Sequence, residues 1–203
     1  MPNAYFLPAA KARTCRISAW VFTAFAAIVA LASISVAVFP GPTFDCVKHG
    51  CAPQSDATRL VEEDQRPALV ASPQARAAFD AYVDRPSVRA WLFVGAVIKG
   101  LPFAALLLAL ARTLRRLAAP DPLAAALPWL RRASQVAIVA AIADPIGHSI
   151  VQTTLSIGTP GGFQIPIDLT SALFNLCLAL VFRITAWALE EGVKAQRDLA
   201  EIV

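Results

Sequence analysis

The stretch ISAWVFTAFAAIVALASISVAVF, from Ile17 to Phe39, contains no charged residue. A hydrocarbon core about 30 Å thick is crossed by about 20 helical residues, and inside it every backbone polar group must find its partner within the chain. An uncharged run of this length therefore predicts a membrane-spanning helix. Three further stretches meet the same requirement with only one or two charges each: Ala90 to Ala111, Ala133 to Leu155 and Ile167 to Leu189. Four crossings of this kind predict an all-α fold, an integral membrane four-helix bundle forming a single membrane domain over residues 1–203. An extended outer loop, 40–89, contains a short helix, and a tail, 190–203, follows the last span.

Composition agrees with this class. The 203 residues are 57% hydrophobic and only 16% charged, against about 25% charged in an ordinary soluble domain. A secretory leader is the competing reading of the first block. That block is too long for a typical leader core, and no small-residue cleavage site follows it at Phe39, Pro40 and Gly41.

The formal charge of +4 is distributed along the chain in a way that predicts orientation. Lys11, Arg13 and Arg16 precede the first span, Arg112, Arg115, Arg116, Arg131 and Arg132 lie between the second and third, and Arg183, Lys194 and Arg197 mark the end of the fourth. These 11 of 18 basic residues fall on one side, which the positive-inside rule assigns to the cytoplasm. Both termini are then cytoplasmic in a multi-pass protein of the cell inner membrane. The basic residues form no stripe interleaved with aromatics, so no nucleic-acid partner is expected. The expected partner is the lipid bilayer, with a membrane or cytoplasmic protein, or a second copy of the chain, as candidate associates.

Local signals refine the layout. Pro40, Gly41 and Pro42 stop the first helix. Ser72 before Pro73 has the form of a cap and first helical position, and Phe79, Tyr82 and Val83 give one apolar face to a short helix ending before Pro86. That face is expected to pack on the outer end of the bundle. Asp121, between Pro120 and Pro122, can cap a helix leading into the third span, with Trp129 at the headgroup level. Beyond Leu189, the alternating charges Glu190, Lys194 and Asp198 suit a helix that continues past the membrane.

The short helix from Ala77 to Tyr82, the segment Leu114 to Leu117 followed by Pro122 and Trp129 to Arg132, and the end from Val181–Arg183 through Glu190–Gly192 to Asp198, Leu199 and Val203 carry a resemblance. On these stretches the chain, from Ala77 onward, resembles a family of four-span bacterial inner-membrane proteins, domain of unknown function 2975. Members are often encoded beside a small helix-turn-helix regulator, so the resemblance implies a regulatory or accessory role. It implies no catalytic residues.

A few polar groups sit where they are costly. Lys99 lies near the middle of the second span and Asp144 near the middle of the third. Antiparallel neighbours could bring them to similar depth as an ion pair. The alternative for Asp144, which precedes Pro145, is a cap restarting a helix that proline has interrupted. Pro102 would bend the second span near Lys99, whose long stem can snorkel. His148 and Gln152 follow Asp144 at four-residue steps, and Ala133, Ala137 and Ala141 precede it on much the same face. Such a stripe suits helix packing, and also a proton relay through Asp144 and His148; packing is favoured. Asp168, Ser171 and Asn175 form a similar stripe on the fourth span, where Asp168 can cap the helix. An interior lined by Lys99, Asp144, His148 and Asn175 is the place expected for a ligand.

Cys46 and Cys51 in the outer loop are expected to form a disulfide if that side is oxidising. A metal site with the intervening His49 is a weaker alternative, because three ligands within six residues and no second cluster make a poor zinc signature. Cys15 and Cys177 are expected to be packing residues, with lipidation open for Cys15. Neither a phosphate-binding glycine loop nor a hydrolase or metalloprotease signature occurs. No cofactor, metal or catalytic residue is therefore expected, and a non-enzymatic accessory or regulatory protein is favoured. The alternative is a small transporter or channel component using the polar residues of spans two to four.

Overall fold

The structure is a computed structural model describing residues 8–36, 38–47, 50–119, 122–166 and 169–202; the side chains of 42–47, 50–55, 122–124, 169, 171 and 196–202 are outside the description. The fold class is all-α, a bundle of four long apolar helices: α1 (Ala9–Ser35), α4 (Pro86–Leu117), α5 (Pro122–Ser156) and α6 (Leu169–Ile202). Each contains a segment long and apolar enough to cross a membrane: Ala9–Ser35, Pro86–Leu117, Ala125–Ser156 and Ala172–Ala195. Between α1 and α4 lie two strands, β1 (Pro42–Val47) and β2 (Gly50–Ser55), a single 3-10 turn at Ala57–Leu60, and the short helices α2 (Arg66–Ala71) and α3 (Pro73–Val83).

What the long helices bury and expose identifies their solvent. Their buried positions are largely alanines, among them Ala19, Ala26, Ala133, Ala137, Ala141 and Ala179, while Trp20, Leu31, Phe174 and Ile184 are each more than half exposed. In water this arrangement would be inverted, since each large apolar side chain left exposed forgoes about 1.5–3 kcal/mol of burial. In lipid there is no hydrophobic drive between helices, so small residues line the contacts and large ones face the acyl chains. The protein is a multi-pass membrane protein in contact with a bilayer.

The chain falls into two compact units. The first comprises Met1–Val29, Leu101–Ile142 and Thr170–Val203. In it Ala137 and Ala141 of α5 pack on Ala179 of α6, flanked by Leu106 and Ile138. The alanine stripe expected to face other helices does so, Ala133 being 1% exposed. Polar ties between its helices include Arg115 donating to Thr23 Oγ1 at 3.2 Å and Arg183 to Ser134 Oγ at 3.4 Å.

The second unit comprises Ala30–Gly100 and Ala143–Leu169 and has a core of the kind found in soluble domains. Phe79 and Val83 of α3, Leu69 of α2, Val88 and Leu92 of α4 and Leu155 of α5 are buried together, with Ala57 and Val61 from the preceding connection. As the sequence predicts, Ser72 caps α3, accepting from the Ala75 amide, and Pro73 takes the first turn. Asp56 organises the 3-10 turn by accepting from Thr58, and lies 3.7 Å from Arg59 and from Arg76.

Three details depart from the sequence reading. The first helix ends at Ser35, four residues before Phe39, and the amides of Val38 and Phe39 both turn back to the Ser35 carbonyl. Pro40 disfavours helical backbone in the residue before it, which draws the end of the helix inward. The strands β1 and β2 form an antiparallel ribbon in the connection 40–89, where only a short helix was expected. Pro42, Gly50 and Pro53 argue against a central strand, but a two-stranded ribbon has only edges, where proline is tolerated. Finally, α5 is continuous through Asp144 and Pro145, so Asp144 does not cap a restarted helix. Pro145 forfeits one hydrogen bond without ending the helix.

Candidate functional site: a polar seam on the third span

Asp144, His148 and Gln152 recur every four residues on α5 and so share one face. Each meets a partner from another part of the second unit. Lys99 Nζ on α4 lies 3.6 Å from Asp144 Oδ1, with the two side chains 50% and 30% exposed. One turn on, His148 Nε2 lies 3.6 Å from Glu62 Oε1, a contact that becomes an ion pair when the imidazole is protonated. A further turn on, Gln152 Nε2 donates to the Leu60 carbonyl at 2.9 Å.

Two glycines set the spacing that makes the first contact possible. A Cβ on Gly147 would lie 2.6 Å from the Gly95 carbonyl oxygen and 2.8 Å from the Lys99 amide nitrogen, and one on Gly95 would lie 2.7 Å from Val151 Cγ2. The backbones of α4 and α5 therefore touch directly. Gly95 is one turn before Lys99 and Gly147 about one turn after Asp144, so the close approach is what lets the two charged side chains meet.

Beyond the seam, further polar contacts fasten the connections that precede α4 and follow α5. Gln65 donates to Gln164 Oε1 and accepts from Thr159 Oγ1, while Ser149 donates to the Pro166 carbonyl at 2.8 Å. Tyr82 donates to the Thr154 carbonyl at 2.8 Å. Burial pushes the Tyr82 phenol above its ordinary pKa, opposed by the Arg85 guanidinium 5.5 Å from the ring centroid. Beside Tyr82 opens a mostly apolar cavity of about 600 Å³, with Arg85, Trp91, Ser149 and Ile157 in its lining.

Asn175, on α6, belongs to the first unit, whereas Lys99, Asp144 and His148 belong to the second. Asp168, Lys48 and His49 lie outside the described residues, and so does the Ser171 side chain. The ribbon register sets Cys46 directly opposite Cys51, whose side chains are likewise outside the description. Of the two free cysteines described, Cys15 is partly buried and Cys177 is exposed on α6, so Cys177 is not the packing residue expected. Glu62, Gln65, Gly95 and Gly147 were not singled out from sequence, and only the glycines carried a signal: small residues about one turn from each intramembrane charge.

Comparison of the chain with family models, with curated proteins and with solved structures returned no match.

Proposed function

We propose that this chain is a non-enzymatic accessory or regulatory protein of the bacterial inner membrane, in keeping with the four-span family it resembles. One observation carries this reading. The costly polar side chains of α5 are engaged with the chain itself: Asp144 with Lys99, His148 with Glu62, and Gln152 with the Leu60 carbonyl. They join helix to helix and fasten the outer connection to α5, which is the work of a scaffold more than of a solute path. Orientation follows from charge. The first unit holds eleven of the eighteen basic residues and five of the fourteen acidic ones, the second seven and nine. The positive-inside rule then puts the basic ends of the helices, with both termini, in the cytoplasm, and the outer connection outside. On that side Cys46 and Cys51 form a disulfide: directly opposed residues of an antiparallel pair have Cα atoms about 4.5–5.5 Å apart, within the range a disulfide requires.

The test is a cycle of Lys99→Leu, Asp144→Leu and the double variant. Each single change removes this partner from the other charged group in the span. Lower abundance in both single variants, with recovery in the double variant, is the expected result. Normal abundance in every variant together with lost solute flux would replace this reading with a transporter.

A further inference from the structure

The end of α4 and the first turns of α5 border an open hollow of about 390 Å³ in the first unit, lined by Arg112, Arg115, Arg116, Ala119 and Trp129. Among the described residues no carboxylate pairs with any of these three arginines. Two of them are held in place. Arg112 stacks on Trp129 at 4.9 Å from the ring centroid, with Arg132 at 4.7 Å from the same ring, and Arg115 stacks on Trp20 at 4.9 Å while donating to Thr23 Oγ1. Arg116 is exposed and makes no side-chain hydrogen bond or ion pair to a described residue.

Three guanidiniums around one hollow repel one another unless an anion joins them, and the planar fork of arginine matches phosphate oxygens in pairs. The position is equally telling. The cavity lies where two candidate spans end, with an indole in its wall and Leu108 exposed one turn earlier on α4. Indole rings favour headgroup depth, and basic hollows between span ends suit anionic headgroups. We propose that this cavity binds the phosphodiester of an anionic phospholipid, whose acyl chains lie along the exposed flank of α4. The proposal needs the helices to span a bilayer and is independent of whether the protein is accessory or a transporter.

The test is native mass spectrometry of the full chain in mild detergent with phosphatidylglycerol, phosphatidylcholine or inorganic phosphate. Phosphatidylglycerol should be retained at least about tenfold over phosphatidylcholine, with about fivefold lost for each arginine removed, as in Arg116→Gln and then Arg112→Gln/Arg116→Gln. Arg116→Gln breaks no side-chain hydrogen bond or ion pair to a described residue, so its loss reports binding even if the double variant unfolds. Arg131→Gln, outside the cavity lining, should change retention by less than about twofold. Equal retention of the two lipids, an equal loss in Arg131→Gln, or full displacement by millimolar inorganic phosphate would overturn the proposal.

Discussion

Replacing Gly147 by alanine tests the backbone contact on which the Lys99–Asp144 pair depends. The new methyl would sit 2.6 Å from the Gly95 carbonyl oxygen and 2.8 Å from the Lys99 amide nitrogen, both backbone atoms in the middle of a long helix. Ordinary contact begins near 3.4 Å, so α4 and α5 must part by roughly 0.8 Å, and neither obstacle is a side chain that can swing away. Overpacking of this kind costs about 1–3 kcal/mol. Against it stands the ordinary advantage of alanine over glycine inside a helix, about 0.5–1 kcal/mol. A net loss of about 1–2 kcal/mol is expected. Gly192→Ala supplies the matched control, because a Cβ there meets nothing within 4 Å and the residue lies inside α6. That variant should gain about 0.5–1 kcal/mol. Unfolding in mixed micelles titrated with denaturing detergent, followed by circular dichroism, measures both. If Gly147→Ala gained stability as Gly192→Ala does, the two helices would not be in backbone contact and the argument for the pair's geometry would fail.

Two other perturbations probe the outer connection. Tyr82→Phe removes the hydrogen bond to the Thr154 carbonyl and should cost about 1 kcal/mol at neutral pH. Because folding raises the phenol pKa, Tyr82 leaves stability intact below the ordinary tyrosine value and takes it away as pH rises through the raised one. The wild type should therefore lose stability on the alkaline side more steeply than Tyr82→Phe in a pH series of melting curves; parallel curves would refute the assignment. Impermeant maleimide applied to the outer face should label Cys46 and Cys51 only after reduction, whereas labelling without reductant, or only from the cytoplasmic face, would sink the disulfide or the topology.

Much of the fold is legible because the solvent imposes it. Lipid forces each crossing to be a long unbroken apolar helix, so composition alone locates four of them, and the alanine stripe at 133, 137 and 141 marks a packed face. Capping of α3 is equally local: Ser72 and Pro73 act within one turn of themselves. The ribbon was hidden because its prolines and glycine oppose strand formation until two segments pair, and pairing is a property of neither segment alone. The cap offered as the alternative to the ion pair for Asp144 rested on Asp followed by Pro, a local helix-start signal that the continuity of α5 overrides.

For the seam, the amino-acid order by itself determined that a lysine and an aspartate stand at comparable depth in successive antiparallel spans, and that Asp144, His148 and Gln152 share a helix face. Both follow from helical rise and period. Only the tertiary structure decided what that face meets. The Gly95–Gly147 contact brings α4 against α5 at a separation where Lys99 reaches Asp144, and the fold of the connection between α1 and α4 delivers Glu62 and the Leu60 carbonyl to the next two turns. The physical reason is that which atoms meet across 45 or more residues depends on the separation and rotation of packed elements, and small residues elsewhere in the chain set both.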